Sequence, residues 1–471
     1  MRMQLLILLT LICAISFAEE GTMSTQPDPD RPIYHFQPPK NWMNDPKPFF
    51  WKGEYHIFHQ YNPNEPLPRL INWGHTVSKD LVHWTRLPNA LAPTPDGPDR
   101  DGCWTGCAVE KDGLFHILYT GVHPQTQCLA TSKDLISWEK YNGNPLLSTM
   151  PDGFMSECWR DPCAWREGDD WYMLIGSGKQ DVGGTALLYK SKNLIDWEYL
   201  HPLFTGDKDR DGYIFECPDF FPLGDKRVLL DSCGHTFWHT GRYEDHRFIS
   251  EKQGITDGGN FYAAKTLLDD KKRRILWGWL TEARSEDEMR AAGWSGVLSL
   301  PRVLSPKSDG TLGMSPPPEL TALRGKHFRS RTVSPGQAVS SLLDDIRGEA
   351  LELIVRIPSD GSGRIGLVLR ATTDLSEALY LWVDPKEKQL VAAGGQLPEP
   401  SDRRVQIAFE PAKGEEIELH IYLDHSVLEV FANGRACLTA RHYTKRTDAD
   451  RVGVFGSGKA NLEAWEMKGI W

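Results

Sequence analysis

Ser78-Lys79-Asp80-Leu81-Val82-His83-Trp84 returns as Ser132-Lys133-Asp134-Leu135-Ile136-Ser137-Trp138, and again as Ser191-Lys192-Asn193-Leu194-Ile195-Asp196-Trp197. The interval is roughly 55 to 60 residues, room for four short strands and their connections. A second element recurs in the same frame: a tight turn, then a β-prone hydrophobic run. It occurs at Glu54 to Tyr61, Leu114 to Gly121, Trp171 to Ser177, Arg227 to Cys233 and Arg274 to Leu280. The preceding turns include Lys52-Gly53, Asp112-Gly113, Gly168-Asp169 and Gly224-Asp225. Nothing between these runs has the period of an amphipathic helix. Five copies predict an all-β, five-bladed β-propeller over 31–304. The tryptophans that close the three Ser-Lys-Asp/Asn units read as blade core rather than as sugar platforms.

After Pro301 the texture changes. Residues 305–347 contain Pro316-Pro317-Pro318 with scattered Gly and Ser, the signature of a connector. From 348 to 471 hydrophobic and polar residues alternate, as in Leu351-Glu352-Leu353-Ile354-Val355 and Glu418-Leu419-His420-Ile421-Tyr422-Leu423. Turns such as Lys413-Gly414 and Asn433-Gly434 separate the runs. Period two in short segments predicts a C-terminal β-sandwich.

The net charge of −11 argues against a nucleic-acid partner, which needs basic stripes. The one dense basic run, Lys271-Lys272-Arg273-Arg274, falls where a hairpin turn is expected and reads as solvated. Residues 1–18 read as a secretory signal: Arg2 supplies the positive start, Leu5 to Ile15 the apolar stretch, and Ser16-Phe17-Ala18 the cleavage region. That stretch is too short to span a bilayer, and no other segment is long enough, so an exported chain with no membrane partner is expected. Export permits disulfides, but a core of this size needs none. Mostly free thiols are therefore expected, Cys217 among them.

Three acidic motifs stand about ten residues before β-prone runs, in register with the repeat. They are Asn44-Asp45-Pro46, Arg160-Asp161-Pro162 and Glu216-Cys217-Pro218. Equivalent positions in a radial repeat converge on its axis. Singly, Asp-Pro is a turn former; three in register point to glycosidic bond cleavage. That reaction needs a proton for the leaving oxygen and a carboxylate across the anomeric carbon. Glu216, flanked by Phe215, Phe220 and Phe221, suits the acid/base. Asp45 suits the nucleophile, and its Asn44 neighbour and backbone donors would make it ionise low. Asp161 follows Arg160, which would keep it ionised as a clamp on sugar hydroxyls. Protonation and carboxylate attack need no metal, so no cofactor is implied. Cys233, His235 and His239 share a strand face, but no second cluster supports a metal. In the sandwich, Asp424, His425 and Glu429 read as a solvated strand face rather than a sugar site.

The chain resembles glycoside hydrolase family 32, the invertases, inulinases and levanases. Trp42-Met43-Asn44-Asp45-Pro46 is similar to the family's nucleophile motif, Trp159-Arg160-Asp161-Pro162 to its transition-state stabiliser motif, and Glu216-Cys217-Pro218 to its acid/base motif. His59-Gln60-Tyr61-Asn62-Pro63, Trp73-Gly74-His75, Trp104-Thr105-Gly106 and Trp277-Gly278-Trp279 also match. The resemblance implies a retaining β-fructofuranosidase acting on terminal fructosyl units of sucrose, inulin or levan. It further implies that Asn44, Gln60, Trp73, Trp104, Thr105, Arg160 and Trp279 bind the sugar. Two departures stand out. The family usually continues Asn-Asp-Pro with Asn-Gly, where this chain has Lys47-Pro48. It often has a Trp shortly after Gln-Tyr-Asn-Pro, where this chain has Glu65-Pro66-Leu67-Pro68-Arg69-Leu70. A fructosyltransferase would share the three carboxylates. A non-catalytic fructan-binding propeller would not need them.

Overall fold

The computed structural model describes residues 28–334, 340–358 and 365–471. The expected signal segment lies outside them. Five antiparallel sheets follow one another in the chain, and their inner strands are Asn41–Trp51, Cys103–Lys111, Trp159–Glu167, Glu216–Leu223 and Tyr262–Leu268. Each inner strand touches the next, and the fifth touches the first, which closes a ring around a central axis. The chain is a five-bladed β-propeller followed by a β-sandwich. After the fifth blade begins, Trp294–Ser295 returns to pair in parallel with Asn41 and Trp42 and ties the ring shut.

The five β-prone runs are the second strands of the five blades. The Ser-Lys-Asp/Asn-Leu unit is the turn between third and fourth strands in the first three. In each, the Asp or Asn side chain accepts backbone N–H groups two and three residues on: Val82 and His83, Ile136 and Ser137, Ile195 and Asp196. The next residue takes a left-handed φ of 69° at Leu81, 65° at Leu135 and 68° at Leu194. A leucine is costly there; the Asx hydrogen bonds and the burial of all three leucines hold it in place. Trp84 is buried, and Trp138 and Trp197 pack against blade cores.

The stretch expected as a connector, 305–347, is instead structured. Arg302–Pro306 and Leu312–Ser315 complete the fifth blade, with Leu312 and Met314 buried. Pro316 to Pro318 lead into a short 3-10 turn, Pro318–Leu323. Arg324–Val333 and Ser340–Arg347 are edge strands of the two sandwich sheets. The prolines mark one bend, and the polar residues beside them are the exposed faces of edge strands. A short helix, Glu286–Ala292, also escaped the periodicity reading, because none of its seven residues is buried and they carry no apolar stripe. Local chemistry makes it: a Ser285/Glu288 capping box opens it and Gly293, at φ 72°, closes it.

The sandwich is two six-stranded antiparallel sheets whose facing residues, such as Leu353, Ile421, Leu438, Leu367 and Leu381, form its own core. A second apolar cluster runs from the propeller into it, joining Phe221, Phe261 and Trp277 to Tyr422, Val427 and Phe431. Across the same junction Arg302 bonds Asp257 and Glu429, while His35 bridges Asp424 and Glu429. Asp424 and Glu429 are therefore buried, not a solvated strand face: the propeller covers them.

In the basic turn, Lys271 and Lys272 are exposed as expected. Arg273, however, pairs with Asp269 and Glu319, and Arg274 lies over Phe221. The eight cysteines among the described residues are free thiols.

Candidate active site

Four inner strands share one local pattern. Asn44, Arg160, Glu216 and Tyr262 pair with Gln60, Gly176, Ser232 and Trp279 of the second strands. A bulge follows at once in every case. Its first residue has a left-handed backbone: Asp45 at φ 30°, Asp161 at 64°, Cys217 at 51° and Ala263 at 54°. Bulges bend a strand and re-aim its side chains. Here they turn a row of residues toward the axis at one end of the propeller. Pairing resumes at Pro46 in the first blade, one residue before Lys47, and at Cys163, Asp219 and Lys265 in the other three.

In this register Asp45 and Asp161 are equivalent, and their counterpart in blade four is Cys217. Glu216 sits one residue earlier, in the row of Asn44 and Arg160. Its longer side chain serves from that row. The Cys217 thiol lies between the two aspartates, with Sγ 3.8 Å from Asp45 Oδ2 and 3.5 Å from Asp161 Oδ2. Close approach of blades three and four depends on Gly176, where a Cβ would stand 2.1 Å from the Phe215 carbonyl oxygen.

These residues surround a cavity of about 300 Å3, lined by Asn44, Asp45, Gln60, Arg160, Asp161 and Glu216, with Trp104 and Trp279 as aromatic walls. Thr105 donates to Asp45 Oδ2 at 2.7 Å, and Gln60 Nε2 donates to Thr105 at 2.7 Å. The Cys217 backbone N–H donates to Asp161 Oδ2 at 2.9 Å. The Arg160 guanidinium and the Tyr262 hydroxyl each donate to one oxygen of Glu216. Asn44 Oδ1 and Trp279 Nε1 are buried without a protein partner, so an acceptor and a donor are left for a ligand. A polar pocket of this size, with aromatic walls and three carboxylates, suits a single sugar ring.

Burial pushes the Asp45 carboxyl up to about 6, with Asp161 and Glu216 adding to the effect and Lys47 and Thr105 opposing it. The low ionisation expected from Asn44 is therefore reversed by desolvation. Burial also raises Asp161, with Glu216 adding to it and Arg160 and the Cys217 N–H opposing it.

The family model for the glycosyl hydrolases family 32 N-terminal domain matches residues 35–316, and that for the family 32 C-terminal domain matches 319–467. The chain belongs to glycoside hydrolase family 32. It is 32% identical to the sucrose-6-phosphate hydrolase of Escherichia coli over 93% of this chain and 94% of that protein. It is 34% identical to the acid beta-fructofuranosidase of Vicia faba, over 93% and 81%. Fructan 1-exohydrolase IIa from Cichorium intybus superposes with a TM-score of 0.81 at 29% identity, covering 94% of this chain and 98% of that one. The chain is thus a glycoside hydrolase that acts on fructosides.

Not every residue that the family resemblance marked for sugar binding reaches the pocket. Asn44, Gln60, Trp104, Arg160 and Trp279 line it; Trp73 and Thr105 do not. Trp73 is fully buried, with its indole N–H on the Trp104 carbonyl oxygen at 3.0 Å. Thr105 serves Asp45 from behind. Arg160, expected to hold Asp161, bonds Glu216 instead and comes only within 3.9 Å of Asp161. Phe215 and Phe220 pack into one blade core and Phe221 into the domain junction, so the immediate partners of Glu216 are polar. His239 is buried against Asp231 at 3.1 Å while His235 is exposed, so the strand-face trio does not converge.

Sequence reasoning missed Tyr262, although it holds the same register position as Glu216 in the fifth blade. Aligning the residues ahead of all five β-prone runs would have found it. Pro68 and Ile71 also line the pocket, in and beside the segment where the family's rim tryptophan is lacking.

Proposed function

We propose that this chain is an exported, retaining β-fructofuranosidase that removes terminal non-reducing β-D-fructofuranosyl residues from sucrose or fructans. The carrying observation is the convergence of Asp45, Asp161 and Glu216 on a pocket sized for one sugar ring. In this reading the fructosyl ring lies between Trp104 and Trp279. Asp45 attacks its anomeric carbon while Glu216 protonates the departing oxygen. The covalent fructosyl ester at Asp45 is then cleaved by a water that gives its proton to Glu216, which regenerates both carboxyls. Asp161 accepts hydrogen bonds from sugar hydroxyls and favours the flattened ring of the transition state.

The relatives' substrates agree with this. Solved family members include the Cichorium intybus exohydrolase in complex with 1-kestose and a Bombyx mori beta-fructofuranosidase in complex with sucrose. The 32% identity to a sucrose-6-phosphate hydrolase favours a second substrate, a disaccharide phosphorylated on its leaving group. Export rests on the leader pattern at the N-terminus. Among the described residues no helix is long and apolar enough to cross a membrane.

Product analysis on sucrose, sucrose-6-phosphate, inulin and levan tests the reading. Free fructose, released one unit at a time, is expected. Oligofructosides as first products would indicate endo-cleavage or transfer to a sugar acceptor.

A further inference from the structure

We infer that Lys47 is a positioning residue for nucleophilic attack: its buried ammonium, held beneath the pocket floor, keeps the Asp45 carboxylate in its ionised form. The inference rests on Asp45 being the nucleophile.

Lys47 stands two residues beyond Asp45 on the same inner strand, paired opposite Phe58 just past the bulge. It is 2% exposed and lines a second cavity, of about 410 Å3, walled by residues farther along all five inner strands. The floor between the two cavities thus carries a cation on one side and the carboxylates on the other. The ammonium donates to the Asp45 carbonyl oxygen at 2.9 Å and lies 4.5 Å from the centre of the Trp73 ring. Among the described residues no carboxylate lies within ion-pair distance of it, although most buried cations have one. Its charge is met by the field of the pocket above.

The groups facing Lys47 come from four blades. They are Asp45 on its own strand, His59 on the adjacent strand of the same blade, Asp161 from blade three, Cys217 from blade four and Lys265 from blade five. Asp45 in turn faces Lys47, Asp161 and Glu216. Burial disfavours its charge, and the Asp161 carboxylate and, when ionised, Glu216 disfavour it further. Lys47 is the one cation among them. Lys265 occupies the same row in blade five, but it donates to the Pro218 carbonyl oxygen, and Asp219 is its nearest-row anion. Family members with Asn at position 47 have a neutral group in this place. In this chain a charge does part of the work of keeping a buried carboxylate reactive.

Burial pushes the Lys47 ammonium down to about 7, so its support for Asp45 is present in acid and fades as pH rises through neutrality. That window coincides with the range in which Asp45 needs it, near the Asp45 value of about 6.

The test is the pH dependence of kcat/KM on sucrose from pH 4 to 8 for the full chain and for Lys47→Asn, Lys47→Met and Lys47→Arg. Unfolding midpoints are measured beside it. In Lys47→Asn and Lys47→Met the acid limb should move up by about one pH unit, because an opposite charge at this range is worth roughly that much. Activity at pH 5 should then fall about tenfold. Lys47→Arg, which keeps the charge, should leave the limb in place. Lys47→Asn carries the residue other family members tolerate here, so it remains a fair test if the bulkier changes disturb folding. Folded Asn and Met variants with lower kcat but an unmoved acid limb would reduce Lys47 to a packing role and overturn the inference. If Asp45→Asn keeps wild-type kcat/KM, it is the nucleophile assignment that falls, whatever the Lys47 variants do.

Discussion

The Arg160 guanidinium donates to Glu216, from the adjacent blade, rather than to Asp161 beside it in the chain. The bulge at Asp161 explains this. It turns Asp161 toward the axis and leaves Arg160 in the outer row, level with Glu216. With Tyr262 on the other oxygen, Glu216 is held at both ends before any sugar arrives.

Tyr262→Phe removes one of the two donors without changing the pocket's shape. Turnover should fall about 10- to 100-fold with little change in KM, since the loss concerns the aim of a catalytic group rather than ground-state binding. Steady-state kinetics on sucrose check it. The deficit should shrink with an activated aryl fructoside, whose leaving group needs little protonation.

Asp45→Asn and Glu216→Gln should each lower kcat by roughly 10³-fold or more, since they remove covalent and acid/base catalysis respectively. Thermal midpoints should stay close to the wild type. Azide should partly rescue Glu216→Ala only when the leaving group is good, because attack of azide on the fructosyl ester needs no base. Wild-type-like turnover in either of the first two variants would contradict the assignment.

With Asp45 as the proposed nucleophile, its raised carboxyl predicts an acid limb in kcat/KM at about pH 6, with activity falling below it as Asp45 gains a proton. The same shifts carry a stability sign. The folded Asp45 value lies above its ordinary 3.8, so its contribution to stability is full below 3.8 and lost as pH rises through about 6. Lys47 runs the other way. Its folded value lies below 10.5, so its contribution is full above 10.5 and lost as pH falls through about 7. On the proposed assignment, activity requires Asp45 in the charge state that burial disfavours. Denaturant midpoints measured from pH 4 to 10 beside the activity profile check the two together.

The junction between the domains should respond to pH on both sides. Burial alone would raise Asp424 and Glu429, but both are held below their ordinary values, Asp424 by His35 with His425 assisting, and Glu429 by Arg302 with His35 assisting. Their contribution is present above about pH 4 and lost as pH falls through the lowered values. For His35, burial opposes the charged form, but Asp424 and Glu429 outweigh it and raise the value. Its contribution is full below 6.5 and lost as pH rises through the folded value. The junction should be firmest between roughly pH 4.5 and 6.5. Arg302→Ala should destabilise the chain by about 3 to 5 kcal/mol, because it strips the buried Asp257 of its cation and leaves Glu429 with His35 alone. Urea unfolding of the full chain across this range measures both effects.

The repeat was legible because its first three blades spend the same residues on the same turns, and the count of five because each blade's second strand is a β-prone run after a turn. Asp80, Asp134 and Asn193 are there for their side-chain bonds to the backbone, and that chemistry shows in one dimension. The three carboxylates were legible for the same reason, as was the alternation of the sandwich. The structured stretch at 305–347 was not. An edge strand exposes much of its side-chain surface, so Arg324–Val333 reads as a polar loop until its partner strand, Ala460–Met467, is beside it.

What the sequence by itself determined, then, is the number of blades, the all-β class and which carboxylates meet at the axis, since each follows from local pairing rules repeated in register. Which side chains serve those carboxylates was decided only by tertiary structure. Arg160 was drawn to Glu216, Thr105 to Asp45, and Lys47 to a floor beneath residues from three other blades. Glu429 and Asp424 alternate like surface residues along their strands, yet the propeller buries them. Charge, burial and partner are properties of space, and at this site the neighbours that set them lie on other blades, dozens of residues away in the chain.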